Sequence, residues 1–143
     1  MKKITNIDRP WHLWIITIVA LLLFSIGAYD FINIASQNMN YLSNQYSAEG
    51  VLYFTNYPLL LLFLFGINVF SGFIGIFIAL FNKVWAKRLI IISCGSNFLL
   101  IFITVLLMDR IKNIGLGMTI QDILVMLATC GLYFYYRWLN KRN

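Results

Sequence analysis

The chain reads as long apolar runs separated by short polar segments. No Asp, Glu, Lys or Arg lies between Arg9 and Asp30, between Glu49 and Lys83, between Arg88 and Asp109, or between Asp122 and Arg137. Within these windows the apolar residues run on continuously instead of alternating, the pattern of helices in lipid rather than of barrel strands. A bilayer core about 30 Å thick takes roughly 20 helical residues. The pattern therefore predicts four transmembrane helices, over residues 11–29, 59–81, 89–108 and 120–138. The last apolar run is short. It reaches spanning length if 119–122 form its first turn and Arg137 extends to the headgroups. Thr119, followed three residues later by Asp122, has the look of a capping box there.

The connections differ in length. The segment between helices 1 and 2 is long and carries Gln37, Asn38, Asn40, Tyr41, Ser43, Asn44, Gln45 and Tyr46. Met39, Leu42 and Tyr46 recur at helical spacing, which predicts a short interfacial helix. Ser47 is placed to cap a second one containing Glu49, Leu52, Tyr53 and Phe54. Pro58 suits a helix start, where its missing N–H costs nothing. Residues 82–88 are expected to form a tight turn, so that helices 2 and 3 make an antiparallel hairpin. Residues 109–118, with Gly115 and Gly117, are expected to form a flexible loop.

Composition agrees with this picture. Of 143 residues, 61% are hydrophobic and only 11% charged, and mean hydropathy is +0.80. A soluble domain of this size has too little interior for so much apolar surface. One membrane domain, 1–143, fits the length.

Charge adds an orientation. Lys2, Lys3 and Arg9 precede helix 1; Lys83, Lys87 and Arg88 join helices 2 and 3; Arg137, Lys141 and Arg142 follow helix 4. The opposite side holds Asp30, Glu49, Asp109 and Asp122 with Arg110 and Lys112. The positive-inside rule then places both termini in the cytoplasm and the long loop outside. Trp11, Trp14, Trp85 and Trp138 all fall on the basic side, as an aromatic belt does. The net charge of +6 follows from this topology. It calls for a lipid bilayer as partner and not a nucleic acid. The basic start and apolar centre of the first run also fit a signal peptide. No small-x-small cleavage site follows, so the run is read as a retained helix.

Several segments resemble one family of proteins. They are Gly27, Ala28, Tyr29, Asp30 and Phe31; Tyr41, Leu42 and Ser43; Ser47, Ala48 and Glu49 with Leu52, Tyr53 and Phe54; Pro58; Ser71 and Gly72 through Gly75; and Trp85 and Ala86 after Lys83. Over its first two thirds the chain resembles small, uncharacterised four-helix bacterial inner-membrane proteins, whose members sometimes carry a sugar-transporter label. No motif in the chain carries that label. The resemblance implies a bacterial inner membrane and brings no catalytic residues.

Polar groups inside a bilayer must find partners. Asn68 and Asn97 fall at nearly equal depth in the hairpin and are expected to meet near the midplane, with Ser93, Ser96, Thr129 and Cys130 extending a polar seam. Ser71, Gly75 and Ala79 form a small-residue stripe for helix packing or for a homodimer. Asp30, Asp109, Arg110 and Asp122 cluster at the outer rim, for surface pairing or for cation or solute entry. His12 reads as an interfacial anchor, and Cys94 and Cys130 as small apolar residues. No catalytic, cofactor-binding or metal-ligand pattern is present. The expected activity is non-enzymatic: a four-helix bundle that binds a lipid, a small apolar ligand or a membrane partner. The alternative is a small oligomeric transporter or channel. An enzyme ranks third.

Overall fold

The computed structural model describes residues 10–142. The basic residues Lys2, Lys3 and Arg9 lie outside the described residues. The chain is all-α: α1 (Trp11–Ala35), α2 (Met39–Gln45), α3 (Ala48–Thr55), α4 (Leu59–Ile78), α5 (Lys83–Leu107), α6 (Arg110–Ile114) and α7 (Leu116–Arg142). Helices α1, α4, α5 and α7 are each long and apolar enough to cross a membrane. The two expected short helices of the long connection are α2 and α3.

The helix ends explain where this differs from the sequence pattern. Helix α1 runs six residues past Tyr29. It stops when Gln37 adopts a left-handed conformation (φ 52°). The N–H groups of Gln37 and Asn38 then close back on the carbonyls of Ile34 and Asn33, a Schellman ending that satisfies two orphan carbonyls. Asp30 therefore lies on a helix and not in a loop. Helix α5 starts at Lys83, because the Asn82 side chain accepts from the N–H of Val84 and of Trp85. Residues 83–88 are thus helical, and the turn is confined to 79–82. Residues 109–118 are also largely helical, divided between α6 and the start of α7. Thr119 lies inside α7, where its hydroxyl donates to the Gly115 carbonyl. The expected capping box is absent: Asp122 is drawn away by Arg110.

Small residues set the packing. A Cβ on Gly75 would lie 2.9 Å from the Leu89 Cβ, so α4 and α5 approach closely there. A Cβ on Gly72 would lie 2.0 Å from the Phe24 ring, which rests directly on the α4 backbone. Helix α7 packs on the other side of α5, giving a row α1–α4–α5–α7.

The row closes at one end. At the end where α1 begins and α7 finishes, Leu13 of α1 shares a buried core with Ala79, Ala86, Ile90, Leu132, Tyr136 and Leu139. There the His12 ring packs against Tyr135 and is hydrogen-bonded to its hydroxyl. All four Trp residues sit at this end and are exposed. Arg88 and Arg142 stack over Trp85 and Trp138, at 5.1 Å and 4.7 Å. Helix α1 packs mainly on α4 and helix α7 on α5, with little direct packing of α1 on α7. The other end is covered by α2, α3 and α6 around Ile34, Leu42, Tyr53 and Phe54.

Candidate ligand cavity

Between α1 and α7, which pack little on each other, lies a cavity of about 290 Å³. Each helix contributes residues at helical spacing. Phe24, Gly27, Asp30 and Ile34 come from α1, Phe65, Asn68 and Val69 from α4, and Asn97 and Leu100 from α5. Helix α7 adds Met118, Gln121, Asp122 and Val125. Tyr41, Tyr46, Phe54, Tyr57 and Arg110 roof it from the short helices and their connections. Its lining also includes Leu23 and Ile26, which are exposed on the outside of α1. The cavity therefore opens sideways between α1 and α7. Toward the start of α1 it is closed by Phe24 on Gly72 and by the buried core beneath them.

Polar groups occupy two depths. Asp30 is about 28 Å along α1 from Trp11, a full bilayer core away. Its Oδ1 accepts from the Tyr41 hydroxyl at 2.7 Å and from the Tyr46 hydroxyl at 3.3 Å. Burial first, then the hydrogen bond to Asp30 and its charge, push the Tyr41 hydroxyl above its ordinary range. Burial and the Asp30 charge do the same to Tyr46. Both phenols thus remain protonated donors. Arg110 is only 7% exposed and pairs with Asp122. Its charge also lies near Tyr53, whose hydroxyl burial pushes upward against the opposing pull of Arg110.

Asn68 and Asn97 mark the deep end, about 15 Å below the start of α4. Both are buried and both line the cavity. They are not joined to each other by any hydrogen bond among the described residues. The Ser93 hydroxyl takes the Asn68 side chain instead, at 2.8 Å from Oδ1, and also reaches the Asn68 main-chain carbonyl at 2.7 Å. Ser93 is one turn closer to the start of α5 than Asn97. Asn68 therefore points down the helix pair rather than straight across it.

The other sequence candidates divide clearly. Ser96 satisfies itself on the Ile92 and Ser93 carbonyls, and Thr129 on Val125. Both are buried, but neither lines the cavity. Gly75 and Ala79 are buried within the chain, while Ser71 is partly exposed and bonds to the Ile67 and Asn68 carbonyls. Of the rim charges, Asp30, Arg110 and Asp122 converge on the cavity. Asp109 is exposed, in a left-handed conformation before α6. The sequence placed Tyr41 and Tyr46 in the long connection, Tyr46 on a short interfacial helix, without linking either to Asp30. Their role depends on α1 continuing far enough to carry Asp30 beneath them. Cys94 of α5 and Cys130 of α7 also lie near each other, a proximity that their distance in sequence does not announce. Among the described residues, no group of His, Cys, Asp and Glu is arranged to hold a metal ion.

No protein-family model, curated protein or solved structure matches this chain.

Proposed function

We propose that the protein is a non-enzymatic membrane binding protein that takes one small amphipathic molecule from the bilayer into the cavity between α1 and α7. The observation that carries this reading is a cavity open to the lipid side and closed toward the start of α1. Apolar walls suit a hydrocarbon body, while polar groups at headgroup depth and at mid-depth fix its orientation. A channel needs a polar path through the whole bundle. Here the packed core beneath Phe24 interrupts it, so binding is favoured over the transporter reading.

The proposed setting is a bacterial inner membrane with both termini in the cytoplasm. The basic residues and tryptophans gathered where α1 begins and α7 finishes support this orientation. The resemblance to small bacterial four-helix membrane proteins supports the setting. Native mass spectrometry of the detergent-extracted protein tests the binding reading. One tightly held small molecule or lipid per chain is expected. A bare monomer under conditions that retain annular lipid contradicts it. Reporter fusions placing either terminus outside contradict the orientation.

A further inference from the structure

We infer that the occupant of this cavity carries a single positive charge, as an ammonium group beside an apolar body. This deepens the binding reading above and rests on it. The cavity wall holds two carboxylates, Asp30 and Asp122, and one guanidinium, Arg110. Arg110 is committed to Asp122 in an ion pair. Asp30 is left with hydrogen bonds from two phenols and no ion-pair partner among the described residues. The Arg110 charge reaches both carboxylates, but two carboxylates against one guanidinium leave the wall one negative charge in excess, which a ligand cation beside Asp30 offsets. The surrounding surface suits such a cation. Tyr41, Tyr46 and Tyr57 line the same space with Phe54 and Phe65, and aromatic rings can hold a cation.

A second feature points to a ligand independently of the charges. The Asn97 side chain is only 4% exposed, lines the cavity, and has no hydrogen-bond partner among the described residues. An amide that faces the cavity without a protein partner is free to hydrogen-bond a ligand there. It is satisfied by a hydroxyl, carbonyl or amide on the deep end of the ligand. The occupant is thus an organic amine, its ammonium at Asp30 and its apolar body between α1 and α7. A neutral hydrogen-bonding group reaches toward Asn97.

Three probes share one apolar body and differ in charge: phenethylamine, 2-phenylethanol and 3-phenylpropanoate. Each is titrated by calorimetry into the full-length protein in nanodiscs at neutral pH. Binding counts only where the Gly27→Leu variant, which narrows the cavity, weakens it. The amine is expected to bind about tenfold or more tighter than the alcohol, and the acid weakest. Asp30→Asn should abolish the preference for the amine over the alcohol while both still bind, since Tyr41 and Tyr46 can still donate to the amide oxygen. Asn97→Leu should alter no charge preference, which separates loss of charge recognition from a general loss of fold. Equal binding of amine and alcohol overturns this inference and leaves the binding reading standing. Tightest binding by the acid also overturns it, making Arg110 the recognising group. Failure of all three to bind overturns this inference, and a molecule still retained by the wild type in native mass spectrometry would leave the binding reading standing.

Discussion

Ser93 hydrogen-bonds to both carbonyl oxygens of Asn68, at 2.7 Å to the main chain and 2.8 Å to the side chain. One buried hydroxyl thus ties α5 to α4 and fixes the direction of the Asn68 amide. Interhelical hydrogen bonds in membranes are worth about 0.6 kcal/mol, with a maximum near 1.7. Ser93→Ala is expected to lower stability by about that much. Asn97→Leu should not break this link. Steric-trapping unfolding measurements in bicelles on both variants check the difference.

The contact of Phe24 with Gly72 makes a second, larger effect. Any side chain at 72 drives into the Phe24 ring, because its Cβ would lie 2.0 Å away. Gly72→Ala is expected to cost about 1–3 kcal/mol, the usual penalty for overpacking. Phe24→Ala in the same chain should restore part of that loss, since it removes the obstructing ring. Thermal unfolding of the single and double variants in one detergent reads the coupling.

Alkaline pH should weaken the end of the bundle that α2, α3 and α6 cover. The Tyr41 and Tyr46 hydroxyls are held above their ordinary range in the folded protein, by burial and by Asp30. A group whose folded pKa is raised contributes stability below its unfolded pKa and loses it as pH rises. For a phenol that unfolded value is about 10. The pair's contribution is therefore flat through neutral pH and declines above about pH 10, as the unfolded chain ionises and the folded chain does not. Tyr41→Phe combined with Tyr46→Phe should flatten the decline. Melting temperatures from pH 8 to pH 11 measure it.

The spanning helices were legible because lipid imposes one demand on every residue of a run. Charge-free stretches of the right length therefore suffice to find them. The starts at Trp11 and Leu59 match the pattern for that reason, being set by Pro10 and Pro58. Other helix ends depend on local hydrogen bonding that hydropathy does not register. Gln37 in a left-handed conformation stops α1, and the Asn82 side chain starts α5 six residues before the apolar run.

The site was legible in part. Asp30, Arg110 and Asp122 stood out as scarce charges, and Asn68 and Asn97 as polar residues in apolar runs. Their grouping at the rim and at mid-depth was expected, but that both groups line one cavity did not follow from the sequence, because it depends on how α1, α4, α5 and α7 pack. The capping role expected of Thr119 and Asp122 failed for a related reason. The short helix α6 brings Arg110 to Asp122, and an ion pair with a buried guanidinium outweighs a helix-end hydrogen bond.

The cavity itself carries the functional account, and Gly27 offers the most direct test of it. Gly27 lines the cavity, and a Cβ there would meet only Val69, at an ordinary 3.6 Å. Gly27→Leu should therefore narrow the cavity, since the backbone there has room for a Cβ. The deciding measurement is native mass spectrometry of wild type and Gly27→Leu, extracted from the same membranes and matched in melting temperature. The account predicts one retained small molecule on the wild type and less on the variant. Equal retention by both would place the binding elsewhere and contradict the account.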